Sequence, residues 1–171
     1  MPIPEFVVEL RKRIGHAQLW LSGVTAVITN EDDTRVLLVK RADNGEWTPV
    51  TGIIDPGEQP ANAAAREALE EANVHVEPLR VISIDTVGPV VYDNGDVTRY
   101  LDISFHMRYL GGDPTPADGE NSEVKWFDVN ALPPMNERFT TTVARALAEP
   151  QPTIFEFDAA EVERTAELPG K

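Results

Sequence analysis

The chain has 171 residues, with 29 acids against 15 bases and a formal net charge of −14. That length suits one domain, and the absence of cysteine excludes a disulfide framework, a thiolate metal site and a cysteine nucleophile. No run approaches the ~18 consecutive apolar residues of a membrane helix. The opening residues also lack the order of a signal peptide, so a cytoplasmic protein is expected. The acidic excess repels nucleic-acid backbones and anionic membrane surfaces. Small anionic substrates remain, provided a divalent cation bridges them to carboxylates. Most of the acids need do no more than keep the protein soluble.

Residues 4–14 predict a short amphipathic helix with Phe6, Leu10 and Ile14 at i, i+4 spacing. LWLSGVTAVIT at 19–29 predicts a buried strand, NEDD a turn, and RVLLVKR at 35–41 the return strand of a hairpin. The turn ADNGEW and the Gly/Pro-dense stretch TPVTGIIDPGEQP predict irregular backbone. ANAAAREALEEAN at 61–73 is the strongest helix signal, with Pro60 suited to its first turn. Strands are expected over 74–88 and 98–110, joined by a turn at DNGD; in the second, Leu101, Ile103, Phe105 and Met107 share one face. A long acidic loop at 111–123 precedes the strand VKWFDV. A helix over 136–149 and an extended TIFEF follow.

The chemistry is concentrated at 52–74, GIIDPGEQPANAAAREALEEANV. Gly52 and Gly57 give the loop backbone angles that other residues resist. Glu67, Glu70 and Glu71 then fall at i, i+3 and i+4, which puts three carboxylates on one helical side. Crowded like charges raise one another's pKa. Arg66 can pair with Glu70 but cannot neutralise all three, so a hard cation with oxygen ligands fits. A bare acidic triplet is more often a solvated helix face. What argues for a site is the glycine loop, Glu58, the arginine and three acids together, with loop amides also able to take anionic oxygens.

This segment resembles the box of the Nudix hydrolase family: Gly, five residues, Glu, seven residues, Arg-Glu, aliphatic, any, Glu-Glu, any, Gly, aliphatic. Gly52, Glu58, Arg66, Glu67, Glu70, Glu71 and Val74 occupy the matching positions. Ala68 replaces a larger aliphatic, Asn73 replaces the helix-ending glycine, and Thr51 stands where many members carry a second glycine. Asn is the next-best residue for a left-handed cap, and threonine still offers a carbonyl. No carboxylate is lost. The resemblance implies an α/β fold of α+β type: an αβα sandwich with a mixed central sheet and a loop-helix-loop box. One domain over 1–157 is expected, followed by a charged, mobile tail over 158–171.

By the same resemblance, the expected activity is hydrolysis of a nucleoside diphosphate linked to another moiety, of ADP-ribose, nucleotide-sugar or nucleoside-triphosphate type, by water attack on phosphorus with Mg²⁺ or Mn²⁺. The implied metal ligands are Glu67 and Glu71, with Glu70 and the Thr51 carbonyl. Gly52 and Glu58 are expected to bind substrate. The catalytic set is Glu67, Glu70, Arg66 and Glu120: Arg66 orients Glu58 and Glu70, and Glu120 of the acidic loop is preferred over Glu123 as a loop general base, a box glutamate being the other choice. Trp20, Trp47 and Tyr100 offer faces for a nucleobase, but at least two are expected in the core. The three histidines are expected to be structural, and Pro89, near an offset seen in some ADP-ribose-hydrolysing relatives, is a weak pointer.

Other classes fit less well. An isopentenyl diphosphate isomerase needs a cysteine, and RNA decapping needs a basic patch. The alternative is a non-catalytic nucleotide sensor, a class that usually loses box acids. The expected partner is a small nucleoside diphosphate derivative, with no nucleic acid or membrane, and a homodimer could form through the N-terminal helix and first strand.

Overall fold

The computed structural model describes residues 3–92 and 94–166. Strand β1 (Leu19–Thr29) is the organising element of an eight-stranded mixed sheet. Along one edge it pairs in parallel with β6 (Val97–Gly112) over its whole length, from Leu19↔Thr98 to Thr29↔Arg108. Its other edge is shared: β4 (Val50–Ile53) takes Gly23–Ala26 and β2 (Arg35–Arg41) takes Ile28–Thr29, both antiparallel. Beyond β2 lie β3 (Trp47–Thr48) and β7 (Asn121–Asp128); beyond β6 lie β5 (Val74–Val91) and β8 (Ile154–Phe155).

Alternation along the strands assigns each side chain to a face. On one face, Val24, Ala26, Ile28, Leu37, Val39, Phe105 and Met107 pack against helix α2 (Pro60–Ala72). That helix presents Ala63, Ala64, Ala68 and Ala72, all fully buried. Side chains this small let it approach the sheet closely, so Ala68 leaves no exposed gap. On the other face, Val27, Val36, Leu38 and Ile82 pack against Val143 and Ala146 of α3 (Glu137–Leu147). The sandwich and mixed sheet are those expected.

Local chemistry sets the helix ends. Asn73 takes the left-handed conformation (φ 54°) that closes α2, the cap its amide side chain suits. Asn136 caps α3 by accepting from the Phe139 backbone N–H at 3.3 Å. At the far end of α3, Arg80 donates to the Arg145 and Ala146 carbonyls at 2.9 and 3.1 Å, which satisfies two acceptors that the helix leaves open.

Three sequence expectations change. The stretch read as irregular contains β3 and β4, and β4 is held by β1 rather than by any local pattern. Strand β5 runs to Val91 and β6 to Gly112, longer at the ends than predicted. The region read as a tail carries helix α4 (Ala159–Ala166), while residues 167–171 of that expectation lie outside those described. Among the described residues, no helix is long and apolar enough to cross a membrane.

Candidate active site

The box loop is tied to its helix by one guanidinium. Arg66 donates through Nε and Nη2 to the two oxygens of Glu58, both at 2.9 Å, and Nη2 also reaches the Ile53 carbonyl at 3.1 Å. Its Nη1 is shared between Glu67 Oε1 at 2.9 Å and Glu70 Oε2 at 3.0 Å. Glu58 in turn accepts from the Asp55 backbone N–H at 3.1 Å. The Arg66 fork holds the Glu58 carboxyl below its ordinary range, and Arg66 itself is kept firmly charged, chiefly by Glu58.

The three box acids do not share one environment. Glu67 is fully buried and Glu71 nearly so, whereas Glu70 is exposed and turned toward Arg66. Burial pushes the Glu67 carboxyl up to about 7, against the pull of Arg66. Glu71 is pushed up to about 8, first by burial and then by the charge of Glu67; Asn121 Nδ2 donates to it at 3.4 Å. Among the described residues, no cluster of three or more Asp, Glu or His side chains is gathered as a metal cage.

Gly52 explains the packing around Glu67. A Cβ at residue 52 would lie 2.0 Å from Glu67 Cδ, so the glutamate occupies the space that any other residue would fill. Gly52→Ala is therefore expected to eject Glu67 from its slot and destabilise the protein by about 1–3 kcal/mol, the range for overpacking. A denaturant melt at constant pH measures it, and an unchanged midpoint would show that Glu67 can move aside freely.

These groups border a cleft of about 920 Å³ that reaches from Glu71 of α2 to Arg138 and Phe139 of α3. Thr51, Gly52 and Ile53 of β4 form one margin together with Glu71, and Glu120 and Asn121 stand at the rim. Leu21, Gly23, Tyr100 and Asp102 contribute to its floor, and the described start of the chain and α1 (Glu5–Ile14) help to wall it. The structure thus brings Thr51, Gly52, Glu71 and Glu120 to one cavity, with Glu67 directly beneath Gly52. Glu58 and Glu70 lie behind, on Arg66. Glu123, the other loop acid considered, belongs to β7; Lys125 and Lys40 pull its carboxyl down to about 2.

Sequence reading missed the buried centre of the floor. Asp102 accepts from Thr25 Oγ1 and Ser104 Oγ, each at 3.0 Å, and pairs with Arg138 Nη2 at 2.9 Å. Its signal was the run of polar residues Thr98, Asp102, Ser104 and His106 at even positions of β6, which are all buried. The aromatic expectation is corrected. Only Trp47 of the three packs in a core cluster, edge-on to Phe127, while Trp20 is exposed and Tyr100 lines the cleft. His106 accords with a structural role, being buried and hydrogen-bonded to Thr29 at 2.9 Å.

A two-faced α/β sandwich with buried glutamates at a glycine loop defines the general class. The comparisons specify it: the NUDIX domain matches residues 20–148, and the chain belongs to that family. It is 25% identical over 155 residues to the NAD-capped RNA hydrolase NudC of Pseudomonas syringae pv. tomato, covering 79% of this chain and 52% of that protein. It is also 30% identical over 135 residues to human 8-oxo-dGDP phosphatase NUDT18, covering 76% and 37% of the two chains. The chain thus spans about half or less of the length of these curated relatives. Among solved structures, an ADP-ribose pyrophosphatase from Streptococcus suis superposes with a TM-score of 0.60 at 25% identity, covering 78% of this chain and 96% of that one. A UDP-X diphosphatase with a TM-score of 0.60 and 18% identity shares the fold.

Proposed function

We propose that the protein is a metal-dependent hydrolase of small nucleoside diphosphate derivatives, with ADP-ribose or a nucleotide sugar ahead of nucleoside triphosphates. The observation that carries this reading is the pair of buried glutamates beside the cleft. Glu67 Oε2 has no hydrogen-bond partner among the described residues, and burial disfavours the charge on both carboxylates. An unsatisfied buried carboxylate oxygen is costly, and a hard divalent cation with oxygen ligands would satisfy it. Similarity to an ADP-ribose pyrophosphatase over nearly all of that chain supports the substrate class. The net charge of −14 supports a small substrate over nucleic acid or a membrane surface, in a cytoplasmic setting. Exposed Leu10, Ile14 and Trp20 are compatible with a two-fold dimer through α1 and β1.

In this reading Glu67 and Glu71 hold the ion, joined by Glu70, which already shares the Arg66 Nη1 donor with Glu67, and by the Thr51 carbonyl. Bound Mg²⁺ or Mn²⁺ supplies neutralisation of phosphate charge and a lowered pKa for water. Arg66 fixes Glu67 and, through Glu58, the loop. The water oxygen attacks phosphorus, the bridging P–O bond breaks toward the leaving phosphate, and Glu120 at the rim or a box glutamate accepts the water proton. Incubating nucleoside diphosphate derivatives with Mg²⁺, Mn²⁺ or chelator, and measuring released monophosphate, tests this. Release only with metal is expected. Release that persists in chelator, or none from any compound, would refute it.

A further inference from the structure

A polyanionic substrate entering a protein of net charge −14 needs donors beyond the box. Three arginines line the cleft, and their hydrogen bonds separate them. Both terminal nitrogens of Arg11 are engaged, Nη1 with the Gly15 and Ala17 carbonyls and Nη2 with the Val97 carbonyl and Thr98 Oγ1, while its Nε is buried without a hydrogen bond and ion-pairs with Asp96 at 3.3 Å. Arg41 turns its Nε and Nη2 fork onto Asp43. Arg138 is different. Only its Nη2 is engaged, with Thr25 Oγ1 at 3.0 Å and Asp102 at 2.9 Å, while Nε and Nη1 make no hydrogen bond to any described residue.

Its mounting is rigid. The guanidinium carbon lies 4.6 Å from the Phe139 ring centroid, and Asp102, only 5% exposed, is fixed in turn by Thr25 and Ser104. A buried carboxylate held by two hydroxyls cannot swing out, so it sets the direction of the guanidinium. A planar fork with one arm anchored and the other open, one-third exposed in a cleft, suits an acceptor oxygen of a phosphate. The anchor joins the strands that carry the floor, since Thr25 pairs with Thr51 at the box margin and Asp102 pairs with Gly23.

We infer that Arg138, aimed by Asp102, binds a phosphoryl oxygen of the nucleoside diphosphate in the cleft, independently of the box carboxylates. The inference rests on the substrate class proposed above and assigns Arg138 a binding role. Asp102 is then a positioning residue.

The test separates this subsite from the reaction. In chelator, ADP titrated calorimetrically into the parent should bind, and Arg138→Gln should weaken that binding at least tenfold. Arg138→Lys, which keeps the charge but loses the fork, should fall between. With metal, Arg138→Gln should raise KM for ADP-ribose at least tenfold while kcat changes less than about threefold, the pattern of lost uniform binding. The Mg²⁺-induced rise in Tm should match the parent's. Because Arg138→Gln leaves a buried carboxylate unpaired, Arg138→Gln with Asp102→Asn provides a second variant without that charge. Unchanged ADP affinity and KM in either folded variant would overturn the inference, as would a parent that binds no ADP in chelator. Loss of the Mg²⁺ response in both variants would also overturn it, by showing a purely structural role. A parent that binds ADP through Arg138 yet cleaves no phosphoanhydride would leave the subsite standing and refute the proposed reaction.

Discussion

Glu71→Gln is expected to lower turnover by at least about a hundredfold, the scale of removing one group that stabilises charge in a transition state. Glu71 is the box carboxylate that both lines the cleft and is nearly buried, so its loss cannot be made good by water. Gln keeps the size and can still meet Asn121, which isolates the effect to charge and cation binding. Glu67→Gln should fall as far, since Glu67 fills the slot under Gly52. The measurement is kcat with saturating Mg²⁺ on whichever compound the parent cleaves. A Glu71→Gln enzyme within a few-fold of the parent would show that the buried pair is not the reaction centre.

The same substitution should act on stability in the opposite direction when metal is withheld. The folded-state pKa of Glu71 is raised to about 8 from 4.5, so between these values the folded chain retains a proton that the unfolded chain has released. Stability from this group is therefore greatest at acid pH, declines as pH rises through that window, and above about 8 carries the whole cost of a buried charge. In chelator, Glu71→Gln should melt higher than the parent at pH 8–9, by an amount on the order of a few kcal/mol, and the gap should close toward pH 5. His106 works the other way, because burial lowers its pKa and the folded chain loses stability as pH falls through the unfolded histidine value of about 6.5. That slope is common to both proteins and cancels in the difference. Added Mg²⁺ should then raise the Tm of the parent more than that of the variant. A pH-independent difference, or equal Mg²⁺ shifts, would mark Glu71 as an ordinary solvated acid.

What could be read from the sequence was local. Helix α2 followed from its alanines and charged formers, β6 from its alternation, and the Arg66 network from separations of one to eight residues. What could not be read depended on distant pairings. Strand β4 carries a glycine and follows a proline, and it is a strand only because β1 has an open half-edge for it. Thr98, Asp102, Ser104 and His106 of β6 are polar, which by itself does not mark a buried face. They are buried because α1, α3 and the cleft walls close over them. Asp102 and Arg138 lie 36 positions apart and share no motif, so their meeting is a property of the sheet and of α3. The resemblance ranked Glu67 and Glu71 ahead of Glu70, but spacing alone put all three on one helical side; the Arg66 fork and the slot at Gly52 divide them into one exposed and two buried.

The pairing of β1 with β6 also bears on how the molecule is assembled. Leu19 meets Thr98 and Thr29 meets Arg108, so the central strand waits through nearly eighty residues of synthesis before its longest edge is covered. Loop-closure entropy must be met before such distant contacts return anything, and non-local pairing of this kind slows folding. Until then β1 presents LWLSGVTAVIT, an apolar strand with an open edge, which is the type of surface on which chains aggregate. The cleft floor is built across this same seam. A nascent or partly melted chain in which this seam is open therefore lacks the cleft floor as well as part of the sheet face on which α2 packs.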